Sequence, residues 1–253
     1  MITIKTAEQI ALLREAGKIH ARILDELEEL VTPGMSTWEL DQIAEKKIRE
    51  AGALPAFLGY RPDRFTPKFP ASTCISLNDT VVHGIPNREE IIKEGDIVSI
   101  DLGLNYKGLF TDAARTIAVG KVSPKVQELI ADTYEALSRG IEAALPGNTT
   151  GDIGFAVESF NSGRYGNVKE LAGHGVGIAL HEEPFVPNFG KPGKGAVLKP
   201  GMVIAIEPMF TLGKSAVDFY DDGYTVKTSD GSLSAHVEHT VLITEDGHEI
   251  LTK

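Results

Sequence analysis

Read along its length, the chain states one pattern twice, so any fold it adopts has to place two similar halves against each other. Thr6 and Gln9 form a capping-box pattern ahead of Ile10, Leu13, Ile19, Ile23 and Leu27, which recur at helical spacing up to a stop at Pro33-Gly34. A second helix is predicted from Ser36, with Glu39 three residues on, to about Gly52. The same grammar then returns. Ser123-Pro124 opens a helix with proline at its first position, Pro146-Gly147 closes it, and Thr149-Thr150-Gly151-Asp152 starts another. The segments Lys93-Glu-Gly-Asp-Ile-Val-Ser-Ile-Asp101 and Lys199-Pro-Gly-Met-Val-Ile-Ala-Ile-Glu207 share Lys-x-Gly, an apolar run and a terminal acid. Their offset is 106 residues, against 113 for the Pro-Gly pairs. Pro-Gly after a helix and Gly before a strand are common punctuation, but two matched signals in the same order favour duplication. The chain is therefore read as one α+β domain, 1–253, with approximate twofold symmetry and halves of about 1–120 and 121–253. Asp101 and Glu207 then occupy equivalent positions that can converge near the axis.

Charge narrows the function. Asp and Glu outnumber Lys and Arg by 36 to 25, a net charge of -11, with no segregated basic patch to offset it, which argues against direct nucleic-acid or anionic-membrane binding. The one cysteine, Cys74, rules out an internal disulfide. MITIKTAEQIALLREAGK carries charges where a signal peptide needs an apolar core, and no apolar run approaches the roughly 20 residues of a membrane span. The expectation is a soluble cytoplasmic protein.

Four carboxylates and one histidine, Asp101, Asp112, His174, Glu207 and Glu238, lie in apolar or Gly-rich settings where a charge should not be. A buried isolated carboxylate carries an effective penalty of several kcal/mol, so four of them need compensating positive charge. If Tyr106-Lys107 is a two-residue hairpin loop, Asp101 lies directly opposite Asp112, and like charges in that arrangement repel unless a cation sits between them. Glu207 follows Val-Ile-Ala-Ile, Glu238 sits in the β-prone run Ala-His-Val-Glu-His-Thr-Val-Leu-Ile, and His174 lies in a glycine-flanked loop. Four carboxylates and a neutral imidazole sum to -4, which two divalent ions would balance. Carboxylate-dominated ligation with one imidazole suits Mn(II), Fe(II), Co(II) or Zn(II), and the reaction class that follows is hydrolysis. His83 and His181 each follow an apolar stretch beside a loop signal, where they could donate to a carbonyl oxygen or steady a leaving nitrogen, or be satisfied core histidines. His20 and His248 read as surface residues. His181-Glu-Glu-Pro-Phe185 lacks the second histidine of HExxH, and Gly173-x-Gly-x-Gly177 is not a dinucleotide fingerprint.

The segments STCISLNDTVVHGIPN, GDIVSIDLGLNYKGLFTDAART, AGHGVGIALHEEP, GMVIAIEPMF and SLSAHVEHTVLITEDG, taken in order, closely resemble the short bacterial-style type I methionine aminopeptidases over essentially the whole chain. The resemblance implies the pita-bread fold: two pseudosymmetric α/β halves and a central antiparallel sheet around a dinuclear metal site, forming a single catalytic domain. It implies that Asp101 chelates one metal, His174 and Glu207 hold the other, and Asp112 and Glu238 bridge them. Glu207 would also handle the proton of the attacking water, bound to both metals. His181 would contact the scissile carbonyl and His83 the peptide nitrogen, with Phe69, Cys74, Leu180 and Tyr224 at pocket positions. Two divalent ions (Co, Mn, Fe or Zn) are implied, together with a monovalent cation held by backbone oxygens of Asn78, Thr80 and Ser234. The implied partners are N-termini of nascent polypeptides with a small second residue, met at the ribosome, with a monomeric enzyme expected.

Against that pattern, Leu180 stands where an aromatic is often found, Tyr224 where many members have Trp, Thr111 where Gly is usual and His236 where Gln is usual. His236 adds a titratable group near the metals, and altered metal affinity or pH dependence is expected of it. A His236→Gln variant with unchanged metal affinity and pH-rate profile would refute that. A prolidase-like dipeptidase shares this ligand set but normally carries a large extra N-terminal domain. A non-catalytic binding protein on the fold should have lost ligands, and a di-iron storage or redox protein leaves His83 and His181 unexplained.

Overall fold

The structure is a computed structural model that describes residues 2–253. Four helices pack outside antiparallel sheets: α1 (Ala7–Leu30), α2 (Thr37–Glu50), α3 (Pro124–Glu142) and α4 (Thr150–Asn161). Their ends obey the local chemistry of the sequence. Thr6 and Gln9 exchange capping hydrogen bonds across the start of α1, as Ser36 and Glu39 do at α2 and Thr149 and Asp152 at α4, while Pro124 occupies the first turn of α3. Among the described residues, no helix is long and apolar enough to cross a membrane.

The halves repeat each other down to single hydrogen bonds. Gly34 N–H donates to Ile92 O as Gly147 N–H does to Leu198 O, and Gly95 N–H donates to Val119 O as Gly201 N–H does to Ile243 O. All four of these glycines have φ between 84° and 96°, in the left-handed region where a side chain is strained. Each half buries its own core beneath its helix pair. Ile23, Leu24, Leu27, Leu40 and Ile48 pack on Ile100 and Leu102 in the first, and Leu137, Ile141 and Ile153 on Ile204 and Ile206 in the second.

In the first half the long strand Ile97–Tyr106 pairs with Thr73–Leu77, Leu109–Ala118 and Leu54–Pro55, and in the second His239–Ile243 and Gly173–Gly175 flank Val203–Ile206. The two sheets meet along a seam. Ala114 and Glu238 exchange backbone hydrogen bonds, and the Thr240 hydroxyl accepts from Asp112 N–H and donates to Asp112 O. That seam brings residues more than 120 positions apart into one surface.

The hairpin register differs from expectation. Tyr106 pairs with Leu109, so the two-residue loop is Lys107-Gly108, and Asp101 lies opposite Ala114 while Gly103 lies opposite Asp112. The cause is local: Lys107 (φ 53°) and Gly108 (φ 86°) both adopt the positive φ that a tight type I′ connection demands, and Asn105 Oδ1 accepts from Gly108 N–H. The slip is by two residues, an even number, so Asp101 and Asp112 still share a face as diagonal neighbours.

Candidate metal centre

Asp101 points from the strand Ile97–Tyr106, Asp112 from Leu109–Ala118 and His174 from Gly173–Gly175, while Glu207 follows Val203–Ile206 and Glu238 precedes His239–Ile243. His174, expected in a loop, is thus in a short strand. Its neighbours are glycines because the strands approach very closely: a Cβ on Gly173 would lie 2.2 Å from Ala205 O, and one on Gly175 2.2 Å from Glu183 O. Gly173→Ala is expected to cost about 2–3 kcal/mol of stability by overpacking, read as a lower urea midpoint with unchanged slope.

All five groups line one cavity of about 290 Å³ together with His83 and His181. One ligand atom from each of Asp101, Asp112 and Glu238 lies within 4.8 Å of the others, and the same holds for His174, Glu207 and Glu238. Glu238 belongs to both groups, so the five form two adjoining sets rather than one. The four carboxylate residues are at most 9% exposed. Asp101 Oδ1, Asp112 Oδ1 and Glu238 Oε1 are buried without any hydrogen-bond partner, and among the described residues no Lys or Arg lines the cavity.

The electrostatics follow from this packing. Burial, with the Glu207 charge adding to it, pushes Asp101 up to about 7, and burial followed by neighbouring carboxylates pushes Asp112 and Glu238 well above the usual range. Left to itself the cluster holds protons, and those orphaned oxygens are free to accept a multivalent cation in their place. His174 Nδ1 lies 2.9 Å from Gly175 O, which fixes the proton there and leaves the Nε2 lone pair facing Asp112 (3.8 Å) and Glu207 (3.7 Å). An oxygen-rich, buried donor set with one imidazole in that tautomer fits two divalent ions.

Around the cluster, His181 packs at a tilt between His174 (ring centroids 4.4 Å apart) and Tyr60 (5.1 Å), at the solvent side of the cleft. Desolvation by the surrounding protein, then His174 and His83, lower its pKa, so it meets a ligand as neutral imidazole. His83 is held at φ 58°, a strained setting for a residue with a side chain. Phe69, Cys74 and Tyr224 line the cavity, and Leu180 is buried in one apolar cluster with Phe69 and Cys74 without lining it. Burial pushes the Cys74 thiol well up, so it packs as an apolar group. Phe57, Tyr60, Pro62, Leu171, Phe219 and Val226 also line the cavity, and nothing in their local sequence marked them.

Other expected positions resolve as follows. Ser234 Oγ lies 3.1 Å from both Asn78 O and Thr80 O, with the hydroxyl between the two carbonyls. His236 is 2% exposed, with Nε2 3.4 Å from Glu207 Oε2. His20, expected at the surface, is fully buried with Nδ1 2.9 Å from Thr111 Oγ1, and burial drives its pKa down to about 3. An isolated histidine on a helix reads as solvent-facing until the strand it packs against is known. His248 is partly buried.

Residues 11–245 match the description Metallopeptidase family M24. The methionine aminopeptidase of Aquifex aeolicus is 48% identical over 100% of this chain and 99% of its own length, and methionine aminopeptidase 1 of Bacillus subtilis is 44% identical over the full length of both. Among solved structures, methionine aminopeptidase from Rickettsia prowazekii superimposes over all of both chains (TM-score 0.95, 40% identity). The prolidase of Pyrococcus furiosus gives a TM-score of 0.77 at 29% identity, covering 99% of this chain and 65% of the prolidase. The shared architecture is the pita-bread fold.

Proposed function

The chain belongs to metallopeptidase family M24, among its methionine aminopeptidases, and from that membership we propose how its own residues divide the work. It is an aminopeptidase, a metal-dependent hydrolase of N-terminal methionine. Asp101, Asp112, His174, Glu207 and Glu238 would hold two divalent ions, with Asp112 and Glu238 shared between them. When bound, those ions would polarise the scissile carbonyl and lower the pKa of the attacking water.

The rest belongs to side chains. Glu207 accepts the proton of the attacking water and returns it to the leaving amine, while the neutral His181 imidazole donates to the carbonyl oxygen and His83 steadies the peptide nitrogen. Phe69, Cys74 and Tyr224, with Phe57 and Tyr60, enclose the methionine side chain in an apolar wall that also keeps bulk water from the cluster. The observation that carries this reading is the set of buried, unpartnered carboxylate oxygens in a cavity that no lysine or arginine lines among the described residues. N-termini of new polypeptides reach such an open-ended cleft directly, at the ribosome or after release. Prolidase-like cleavage is less favoured, because identity to the prolidase is 29%, against 44% and 48% to the methionine aminopeptidases.

The test is a peptide assay. The protein is expected to release methionine from Met-Ala-x at least about 100-fold faster than from Met-Leu-x, and to lose activity with a chelator and regain it with divalent metal. Full activity after exhaustive metal removal would overturn the assignment, and elemental analysis of the protein from its own host identifies the metal.

A further inference from the structure

Next to the metal cluster lies a second charged group that the reaction leaves unused. Lys5 and Glu182 form an ion pair 2.9 Å long whose side chains are 1% and 5% exposed, one reaching in from the segment before α1 and the other adjacent to His181. A buried pair of this kind is costly to desolvate, so its presence is weak evidence of a gain in stability. Every acceptor position of the Glu182 carboxylate is committed. Oε2 takes the Lys5 ammonium and the Thr3 hydroxyl, and Oε1 takes the backbone N–H groups of Ile178 and Ala179 (2.8 Å for the latter). Burial raises the Glu182 pKa, but its hydrogen bonds with Thr3 and Lys5 outweigh this and hold the carboxylate ionised.

These bonds shape one short turn. Ile178 and Ala179 are bound from within the turn by the carboxylate of the residue that follows His181, so the backbone between Gly177 and Glu182 is drawn around that carboxylate. Gly177 makes room for the lysine: its φ is 131°, and a Cβ there would lie 2.4 Å from Lys5 Cε. Lys5 is in turn fixed by its own N–H donating to Gly201 O at 2.8 Å, and Ile2 bridges to Glu183. The amino-terminal strap thus grips the far side of the turn that presents His181 to the cleft.

We propose that Lys5, acting through Glu182, is a positioning residue for His181, so that the first few residues of the chain set the geometry of the group that meets the scissile carbonyl. This rests on the role given to His181 above, and the two claims fail separately. The experiment is a double-mutant cycle on the metal-loaded enzyme with a Met-Ala-x peptide, comparing Lys5→Met, His181→Ala and the pair. Lys5→Met is expected to lower kcat by about tenfold or more with KM within about threefold, because a small displacement of an aligned group is expensive in rate. In the His181→Ala background the same change is expected to cost less than about twofold, since there is no imidazole left to misplace. Lys5→Arg, which keeps the charge, should restore part of kcat.

Glu182→Gln repeats the test at constant volume should Lys5→Met fold poorly, and Arg14→Ala, which breaks the exposed Arg14–Glu249 pair on α1, controls for general loosening of this region and should leave kcat unchanged. Equal losses from Lys5→Met with and without His181, or full kcat in both Lys5→Met and Glu182→Gln, would overturn the positioning role alone. Full activity of His181→Ala by itself would overturn the role of His181 and the proposal with it.

Discussion

Asp101→Asn is expected to abolish peptide cleavage while making the metal-free protein more stable. The two effects have one origin. Asp101 is 7% exposed with one carboxylate oxygen unpartnered, and its pKa stands at about 7 against a usual value of 3.8, so near neutral pH the folded chain holds this side chain at a cost on the order of 4 kcal/mol relative to the unfolded chain. Asparagine keeps the shape and removes the charge, which recovers much of that cost. With the metal ligation proposed above, it also removes an anionic ligand from one of the two sets, and loss of Lewis-acid assistance worth several kcal/mol corresponds to a fall in kcat on the order of 10³-fold. Glu207→Ala should lower kcat at least as far, because the proposed proton acceptor goes with the proposed ligand. The checks are kcat at saturating metal and thermal unfolding with chelator. A variant that loses activity because its chelated form unfolds at lower temperature than wild type would mean that the acidic cluster contributes to folding rather than opposing it.

Metal is expected to stabilise the protein more at pH 7.5 than at pH 5.5. The sign follows from linkage. The folded pKa values of Asp101, Asp112 and Glu238 lie above their unfolded values, so below the ordinary carboxylate range both states are protonated and no penalty exists. As pH rises through about 4 the unfolded chain ionises while the folded cluster keeps its protons, and the apoprotein loses stability continuously up to about pH 7, where Asp101 titrates. Divalent ions displace those protons, so the metal-loaded protein escapes the loss and the gap between the two curves widens with pH. Melting temperatures with and without metal across this range measure it directly. A gap that narrows from pH 5.5 to 7.5 would show that the carboxylates enter the fold already ionised.

Local chemistry was legible and distance was not. Capping residues at Thr6, Ser36 and Thr149, proline at 124 and the left-handed glycines at 34, 95, 147 and 201 fix their elements through groups a few positions away, which is why the helix starts and the internal repeat could be read directly. The five candidate ligands were conspicuous for another reason: an acid inside an apolar run contradicts its neighbours, and that contradiction needs no fold to be seen. Leu180 illustrates the limit. The family resemblance put it at a pocket position, whereas the cavity lining is set by which members of its apolar cluster with Phe69 and Cys74 face the opening, and that depends on the whole packing. Tyr60 and Phe57 went unnoticed because an aromatic in a loop looks the same whether it faces solvent or a cleft.

By itself, then, the order of residues determined the helix starts, the twofold plan and the identity of the groups too charged for their surroundings, because each depends on backbone conformation or on adjacent side chains. Only the tertiary structure decided that these groups share one cavity, that Glu238 stands between two sets of ligands, that His20 is interior, and that Lys5 reaches across to Glu182. Those facts hang on where the two sheets join, at Ala114 against Glu238 and Asp112 against Thr240. A contact across more than 120 residues is selected by the whole core closing around it, and no local pattern of side chains encodes which partner it will find.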